Sequence, residues 1–215
     1  WCATKIIPEG EGVKRTLVRE NITSKPLKVI LYGNINGVNV ESYDRTIHVR
    51  LLASKIREEG KFTFCFVGRI VKDKGINELV LAFVRLTKVY PEVRLLLVGP
   101  FERDLDPVSS EIEHIILDHS SISFVGFQQD IRPYLAASDA LAFPSYREGF
   151  PNVVLQAGAM GLPSIVTDIN GCNEIIEDGV NGVIVPPRDE EALYNAMKYF
   201  VEHRDCLLYT SPSPR

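Results

Sequence analysis

A chain of 215 residues, 45% of them apolar and 24% charged, has the makeup of a folded protein with room for one full domain and part of a second, which excludes global disorder. A formal charge of −4 leaves no basic face for nucleic acid, so any bound anion has to be held by local groups. No apolar run approaches the roughly 18 residues of a membrane span, the opening residues lack a signal-peptide pattern, and cysteines at 2, 65, 172 and 206 are too scattered for a zinc ribbon or a disulfide scaffold.

Residues 1–45 follow no regular alternation. They offer a helix near Gly12 to Glu20, a strand at Lys28 to Tyr32 and the turn-forming run Gly33-Asn34-Ile35-Asn36-Gly37-Val38-Asn39. They read as the tail of a preceding domain with its linker. The chain opens on Trp1 without a methionine, so its natural start is expected upstream.

From Phe62 onward, short β-branched or aromatic runs alternate with helical patterns, which is the signature of a parallel sheet built from βα repeats. Strands are expected at Phe62 to Gly68, Val93 to Gly99, Ser121 to Gly126, Ala140 to Pro144, Pro163 to Thr167 and Gly182 to Pro186. Helices are expected at Ile76 to Tyr90, stopped by Pro91, then at Pro107 to His119, at Asp130 to Ser138, from about Pro151, and as a turn at Cys172 to Glu177. Asp189 caps a last helix to about His203, with Ala192, Leu193, Ala196, Met197 and Phe200 on one face. The pattern predicts an α/β, Rossmann-like doubly wound parallel sheet over 46–205, preceded by the remnant at 1–45 and followed by a Pro/Ser-containing tail, 206–215, that reads as disordered or foreign.

Ligands of such a sheet sit outside the carboxyl ends of its strands. After the first strand comes Gly68-Arg69-Ile70-Val71-Lys72-Asp73-Lys74-Gly75, where Arg69 offers a fork of donors and Lys74 a point charge to one diphosphate. The same loop reads equally well as a solvated charged turn, and it is neither a Walker A nor a GxGxxG motif. After the fourth strand comes Pro144-Ser145-Tyr146-Arg147-Glu148-Gly149-Phe150-Pro151-Asn152-Val153-Val154-Leu155-Gln156. Pro151 suits a first helical turn, Gly149 allows a ligand close to the backbone, and the helix start presents amides to an anion. Glu148 can accept from sugar hydroxyls, or it can be a simple partner of the helix dipole. The third loop, Thr167-Asp168-Ile169-Asn170-Gly171-Cys172-Asn173-Glu174, adds backbone donors, or merely makes an Asn-Gly turn. Cys172 reads as a small buried residue and not a nucleophile. His114 and His119, five apart, do not share a helix face for a metal.

Together these motifs, with Phe124-Val125-Gly126-Phe127, Ser138-Asp139 and Asn36-Gly37-Val38-Asn39, resemble the retaining GT-B glycosyltransferases of family 4 (glycosyl transferases group 1) over roughly Pro26 to Asp205. The resemblance implies the C-terminal, donor-binding half of a GT-B fold. It assigns Arg69 and Lys74, with Gly68, to the donor diphosphate. It assigns Glu148 and the Gly149, Phe150, Pro151 and Asn152 segment to the sugar, the Val153 and Val154 amides to phosphate, and Gly126 to the base. Gly171 and Glu174 join the donor site. The family's second glutamate is replaced by Gln156, which can accept from a ribose hydroxyl but cannot make a charged bond.

The resemblance further implies transfer of a sugar from a UDP- or GDP-sugar to a glycan or lipid-linked acceptor, with retention and without a cofactor or an obligatory metal. Similar enzymes build bacterial surface polysaccharides. A reducing cytoplasm is expected, with at most peripheral contact with the inner face of the cytoplasmic membrane and no nucleic-acid partner. The acceptor side is expected upstream of Trp1, so the chain alone should bind nucleotide and transfer nothing. The competing readings are a GT-B nucleotide-sugar 2-epimerase and a non-catalytic nucleotide-sugar-binding module.

Overall fold

The computed structural model describes residues 3–31, 33, 34 and 37–204. Six strands, β1 (Phe62–Val67), β2 (Val93–Val98), β3 (Ile122–Gly126), β4 (Ala140–Phe143), β5 (Ser164–Thr167) and β6 (Gly182–Val185), pair in parallel in the order β3-β2-β1-β4-β5-β6. Their sequences are continuous apolar runs because both faces are covered, and Phe64, Phe66, Leu95, Leu97 and Leu141 are fully buried. The β1–β2 register runs unbroken from Phe62 opposite Val93 to Val67 opposite Val98. Between β2 and β3 it shifts at Leu97/Val98, so that Val98 faces Gly126 and the strand exit is re-aimed at the carboxyl edge.

Six helices follow the strands in turn. They are numbered after two that precede the sheet, α1 (Glu11–Arg19) and α2 (Ile47–Ile56), and run α3 (Ile76–Thr87), α4 (Ser110–Asp118), α5 (Arg132–Ala136), α6 (Asn152–Ala159), α7 (Cys172–Ile175) and α8 (Glu190–Glu202). In α3 the buried Ile76, Leu79, Val80, Phe83 and Leu86 recur at helical spacing and form one stripe against the sheet. The stripe sits beside α8, whose Leu193, Ala196, Met197 and Phe200 are buried in return. The chain moves from β1 toward β2 in one direction and from β4 toward β5 in the other, and the right-handed rule for parallel crossovers then assigns their helices to opposite faces. Asp189 accepts from the Ala192 amide at 2.9 Å, as expected of its cap position. The helix expected from Pro107 begins three residues later, because Ser109 supplies the cap, accepting from the Ile112 amide at 3.3 Å.

Two expectations are corrected. The sequence pattern does not announce α2; only Val49 and Ala53 of it are buried, while Ile47 and Leu51 are exposed, so its periodic stripe is too narrow to see. It packs on α5, and the segment is tied to the amino edge of the sheet by Arg57 to Asp139 at 2.7 Å and Arg45 to the Met160 carbonyl at 3.1 Å. The strand expected at Lys28 to Tyr32 does not form over 28–31, and only Leu27 bridges, to Ile6. β-propensity becomes a strand only where an edge is offered, and here Ile30 and Leu31 are exposed. The helix expected near Gly12 is present as α1. Tyr32, Asn36 and the tail 206–215 lie outside the described residues. No helix among those described is long and apolar enough to cross a membrane.

Candidate functional site

The strand order reverses between β1 and β4, and at that switch point a parallel sheet opens a crevice at its carboxyl edge. The loop leaving β1 makes a 3-10 turn at Lys72–Lys74 and ends on Gly75 at φ 70°. A side chain at 75 would collide with the Pro144 carbonyl, so glycine is what lets this loop pass beneath the exit of β4. Backbone bonds then join the two loops, the Tyr146 amide donating to the Asp73 carbonyl at 2.8 Å. Arg147 adds an exposed ion pair to Asp73 at 3.2 Å, and the Tyr146 hydroxyl lies 2.6 Å from Glu78. Burial, followed by that carboxylate, pushes the Tyr146 phenol above its ordinary value. The Thr167 hydroxyl donates to the Ser145 carbonyl, and the Cβ of any residue at 171 would lie 2.6 Å from the Gly149 carbonyl. All three loops expected to carry chemistry are therefore packed into one surface.

Across the crevice Lys74 Nζ meets Glu148 Oε1 at 2.5 Å, with both side chains about five-sixths buried and Lys74 5.9 Å from the centre of the Phe143 ring. Arg69 pairs with Glu102 at 2.8 Å and stays half exposed. The hydrogen bond to Glu102 raises the Arg69 pKa further, with weaker contributions from Asp73 and Glu148, which places Glu148 within its electrostatic reach. Two cations, each paired with a carboxylate, therefore flank the crevice. Cys172 lies behind the pair, buried; burial first and the Glu148 charge second push its thiol up to about 12, so it is not a nucleophile.

The remaining expected residues are distributed along the same edge. Gly126 ends β3 at φ 68°, with no atom within 4 Å of a Cβ built on it, and its carbonyl accepts from the Gly99 amide at 2.8 Å. Beside it the Phe101 and Phe124 rings pack at 4.6 Å and Phe127 is exposed. Gly68 begins the first loop at φ 156°, directly below Gly99. Pro151 caps α6, Asn152 and Val153 form its first turn, and the Val154 amide turns back to the Pro151 carbonyl at 3.2 Å. Gln156, one turn further on, is half-buried and makes no side-chain hydrogen bond among the described residues.

The third loop differs from expectation. Its Gly171 and Glu174 amides are paired inside the turn, to Glu174 Oε1 at 3.4 Å and the Gly171 carbonyl at 3.2 Å, because the short α7 closes on itself. The Glu174 carboxylate points to the amides of Glu11 and Gly12, at 2.8 and 2.9 Å.

Residues 9, 10, 33 and 34 also reach the second loop, and 11 and 12 the third, which no local pattern announced. A Cβ at Gly10 or Gly33 would sit 3.1 Å from the Phe150 ring, and Asn34 Nδ2 donates to Asn152 Oδ1 at 2.5 Å. The Glu9 carboxylate lies against Gly149. The one available signal was the Gly10-x-Gly12 spacing together with Gly33, which marks a close approach. A separate apolar cavity of about 370 Å³ opens behind α6, lined by Val38, Val40, Leu155 and Leu162, and shares no charged group with the crevice.

The Glycosyl transferases group 1 family model matches residues 61–203. The capsular polysaccharide biosynthesis glycosyltransferase CapM of Staphylococcus aureus is 28% identical over 200 residues, which are 90% of this chain and 51% of that protein. The UDP-Gal:alpha-D-GlcNAc-diphosphoundecaprenol alpha-1,3-galactosyltransferase of Escherichia coli is 27% identical over 202 residues, covering 91% and 51%. HepE of Anabaena, solved in complex with UDP and glucose, superposes with a TM-score of 0.85 at 23% identity over 98% of this chain and 57% of that one, a likeness of fold. The chain spans about half the length of the curated relatives it matches.

Proposed function

Since this chain belongs to the glycosyl transferases group 1 family, we propose that it forms the nucleotide-sugar-binding half of a glycosyltransferase that transfers with retention of configuration. The observation that carries the reading is the Lys74–Glu148 pair spanning the β1/β4 switch point. A phosphate can replace the carboxylate as the partner of Lys74, so the cation stays paired when the ion pair opens. A diphosphate entering here takes Lys74 and Arg69 as partners and frees Glu148 to accept from sugar hydroxyls. When the bond from the anomeric carbon to the diphosphate breaks, the electron pair leaves with the diphosphate, and the two cations stabilise the growing charge without a metal. Gly68 and the amides at the start of α6 complete the anion cradle, Gln156 accepts from the ribose, and the base lies by Gly126 beside Phe124.

The domain division is part of the same proposal: 1–45 belong with an acceptor-binding half and 46–205 form the donor half. The acceptor is a glycan or a lipid-linked sugar, and the product a bacterial surface polysaccharide assembled at the cytoplasmic face of the membrane. CapM, described as a capsular polysaccharide enzyme, and the galactosyltransferase, described with a diphosphoundecaprenol-linked acceptor, support the polysaccharide product and the lipid-linked acceptor. The family match favours transfer over a 2-epimerase or a non-catalytic module. Calorimetry with UDP and GDP is the direct test. Binding of one of them, weakened in Lys74→Ala and Arg69→Ala with unchanged melting, is the expected result; equal affinity in all three proteins overturns the site.

A further inference from the structure

α1 is a poor helix by itself. It spans nine residues, only Gly12 of it is buried, and its N-cap, Gly10, has no side chain to accept from the first amides. Helices this short are marginal in water, and their first amides need acceptors from elsewhere. Glu174, 163 residues away from Glu11 in the chain, supplies both: Oε2 accepts from Glu11 at 2.8 Å and Oε1 from Gly12 at 2.9 Å. A negative charge at this end also opposes the helix dipole favourably. The fit is close, since a Cβ at Gly12 would lie 2.9 Å from Glu174 Oε1 and collide with the Asn170 side chain, and one at Gly10 would lie 3.0 Å from the same carboxylate. The same docking lays Gly10 and Gly33 against the Phe150 ring and Asn34 against Asn152.

We propose that Glu174 is a positioning residue for the donor-sugar loop: by capping α1 it seats the glycine-lined segment 9–12, with 33 and 34, on Phe150 and Asn152, and so holds Gly149–Asn152 in place without touching the donor. This rests on the function proposed above for the Glu148 loop. It implies that the cations and the sugar loop are controlled separately. Lys74 and Arg69 hold the diphosphate whether or not α1 is docked, whereas the hold on the sugar depends on the cap.

The experiment pairs hydrogen exchange of this chain with calorimetry on Glu174→Ala and Glu174→Gln, using UDP and the tightest-binding of UDP-glucose, UDP-galactose and UDP-N-acetylglucosamine. In Glu174→Ala the amides of 11 and 12, and that of Val154, which is bonded to the Pro151 carbonyl and reports on 149–152, should exchange at least about tenfold faster, while those of the β1–β2 pair do not change. UDP affinity should stay within about threefold while the extra affinity given by the sugar disappears, with Glu174→Gln intermediate because one oxygen remains. Opening of α1 without opening of 149–152 overturns the proposal. So does a loss of UDP affinity of more than about tenfold with exchange unchanged, which would put Glu174 on the donor. If Glu174→Ala does not fold, Gly33→Ala tests the same seat from the other side, because its positive φ of 98°, the Glu9 carbonyl 2.3 Å from a Cβ there and the Phe150 ring at 3.1 Å exclude a side chain; it must loosen 149–152 likewise. Failure of the wild-type chain to bind any nucleotide would overturn the proposed function, and the exchange data would still decide the role of the cap.

Discussion

The loop carrying Arg69 and Lys74 and the loop carrying Glu148 face each other across one crevice, but they are held in different ways. The first is braced by the start of the second and by the loop after β2: Gly75 turns it under Pro144, the Tyr146 amide donates to the Asp73 carbonyl at 2.8 Å, and the Asp73 amide donates to Asp106 at 2.8 Å. The second depends on residues more than a hundred positions earlier, with Phe150 against Gly10 and Gly33 and Asn152 bonded to Asn34. On the proposed function a diphosphate needs only charge at the end of a strand, which loops braced on neighbouring strand ends supply. A sugar site needs hydroxyl partners at set positions, and a loop alone is too pliable to keep them there.

Substitution of the cations should give the largest effect that this contrast allows. In a protein that also supplies the acceptor side, Arg69→Ala or Lys74→Ala should lower turnover about 10² to 10³-fold, with melting temperature unchanged, as loss of a preorganised charge partner does elsewhere. Steady-state assays of nucleotide release check this, and near-normal rates in both variants would remove the two residues from the reaction.

Gly75→Ala tests how tightly the first loop is braced against the second. Left-handed backbone at φ 70° plus contact with the Pro144 carbonyl should cost about 2 to 3 kcal/mol of folding stability. Urea denaturation measures it. A neutral result would mean that the two loops can part freely.

Gln156 probes the nucleotide side of the second loop's helix. Gln156→Leu should weaken UDP binding by about 1 to 3 kcal/mol by stranding a ribose hydroxyl, and Gln156→Glu should match or exceed the wild type. Identical calorimetric affinities would make 156 a packing position only.

The smallest effect lies where residues 40–43 meet α5. Arg132 donates to the Ser42 carbonyl at 2.9 Å and holds the Asp130 carboxyl below its usual range, chiefly through their side-chain hydrogen bond. A depressed folded pKa gives stability that is complete above the unfolded value of about 4 and is lost as the pH falls through the folded one. Both groups are a third or more exposed, so the contribution is modest. Wild type and Arg132→Ala should therefore differ in denaturation midpoint at pH 6, and the gap should narrow as the pH falls through the depressed folded value; a constant gap would show that Asp130 is not the partner that matters.

Much of the fold was legible because its signals are local. Phe62–Val67 and Val93–Val98 are buried strands by composition, α3 declares itself by apolar spacing, and Asp189 marks the start of α8. The cations after β1 and the glutamate before α6 could likewise be placed at the ligand edge, because strand-to-helix alternation alone fixes which loops share that edge. α2 escaped because two buried residues in ten make no visible stripe. Residues 28–31 have a strand's composition without being one, because β-branched residues show a preference for pairing but not whether a neighbour exists.

The amino-acid order by itself determined the alternation of strands and helices, the chemistry of each loop and hence the family resemblance, all of which depend on residues within one turn or one strand of each other. Tertiary structure alone decided the pairing of Lys74 with Glu148, the diversion of Glu174 from the donor loops to α1, and the seating of Phe150 against Gly10 and Gly33. The reason is physical. A carboxylate takes whichever unsatisfied amides folding brings within about 3 Å, and residues 163 apart in sequence carry no local trace of that meeting.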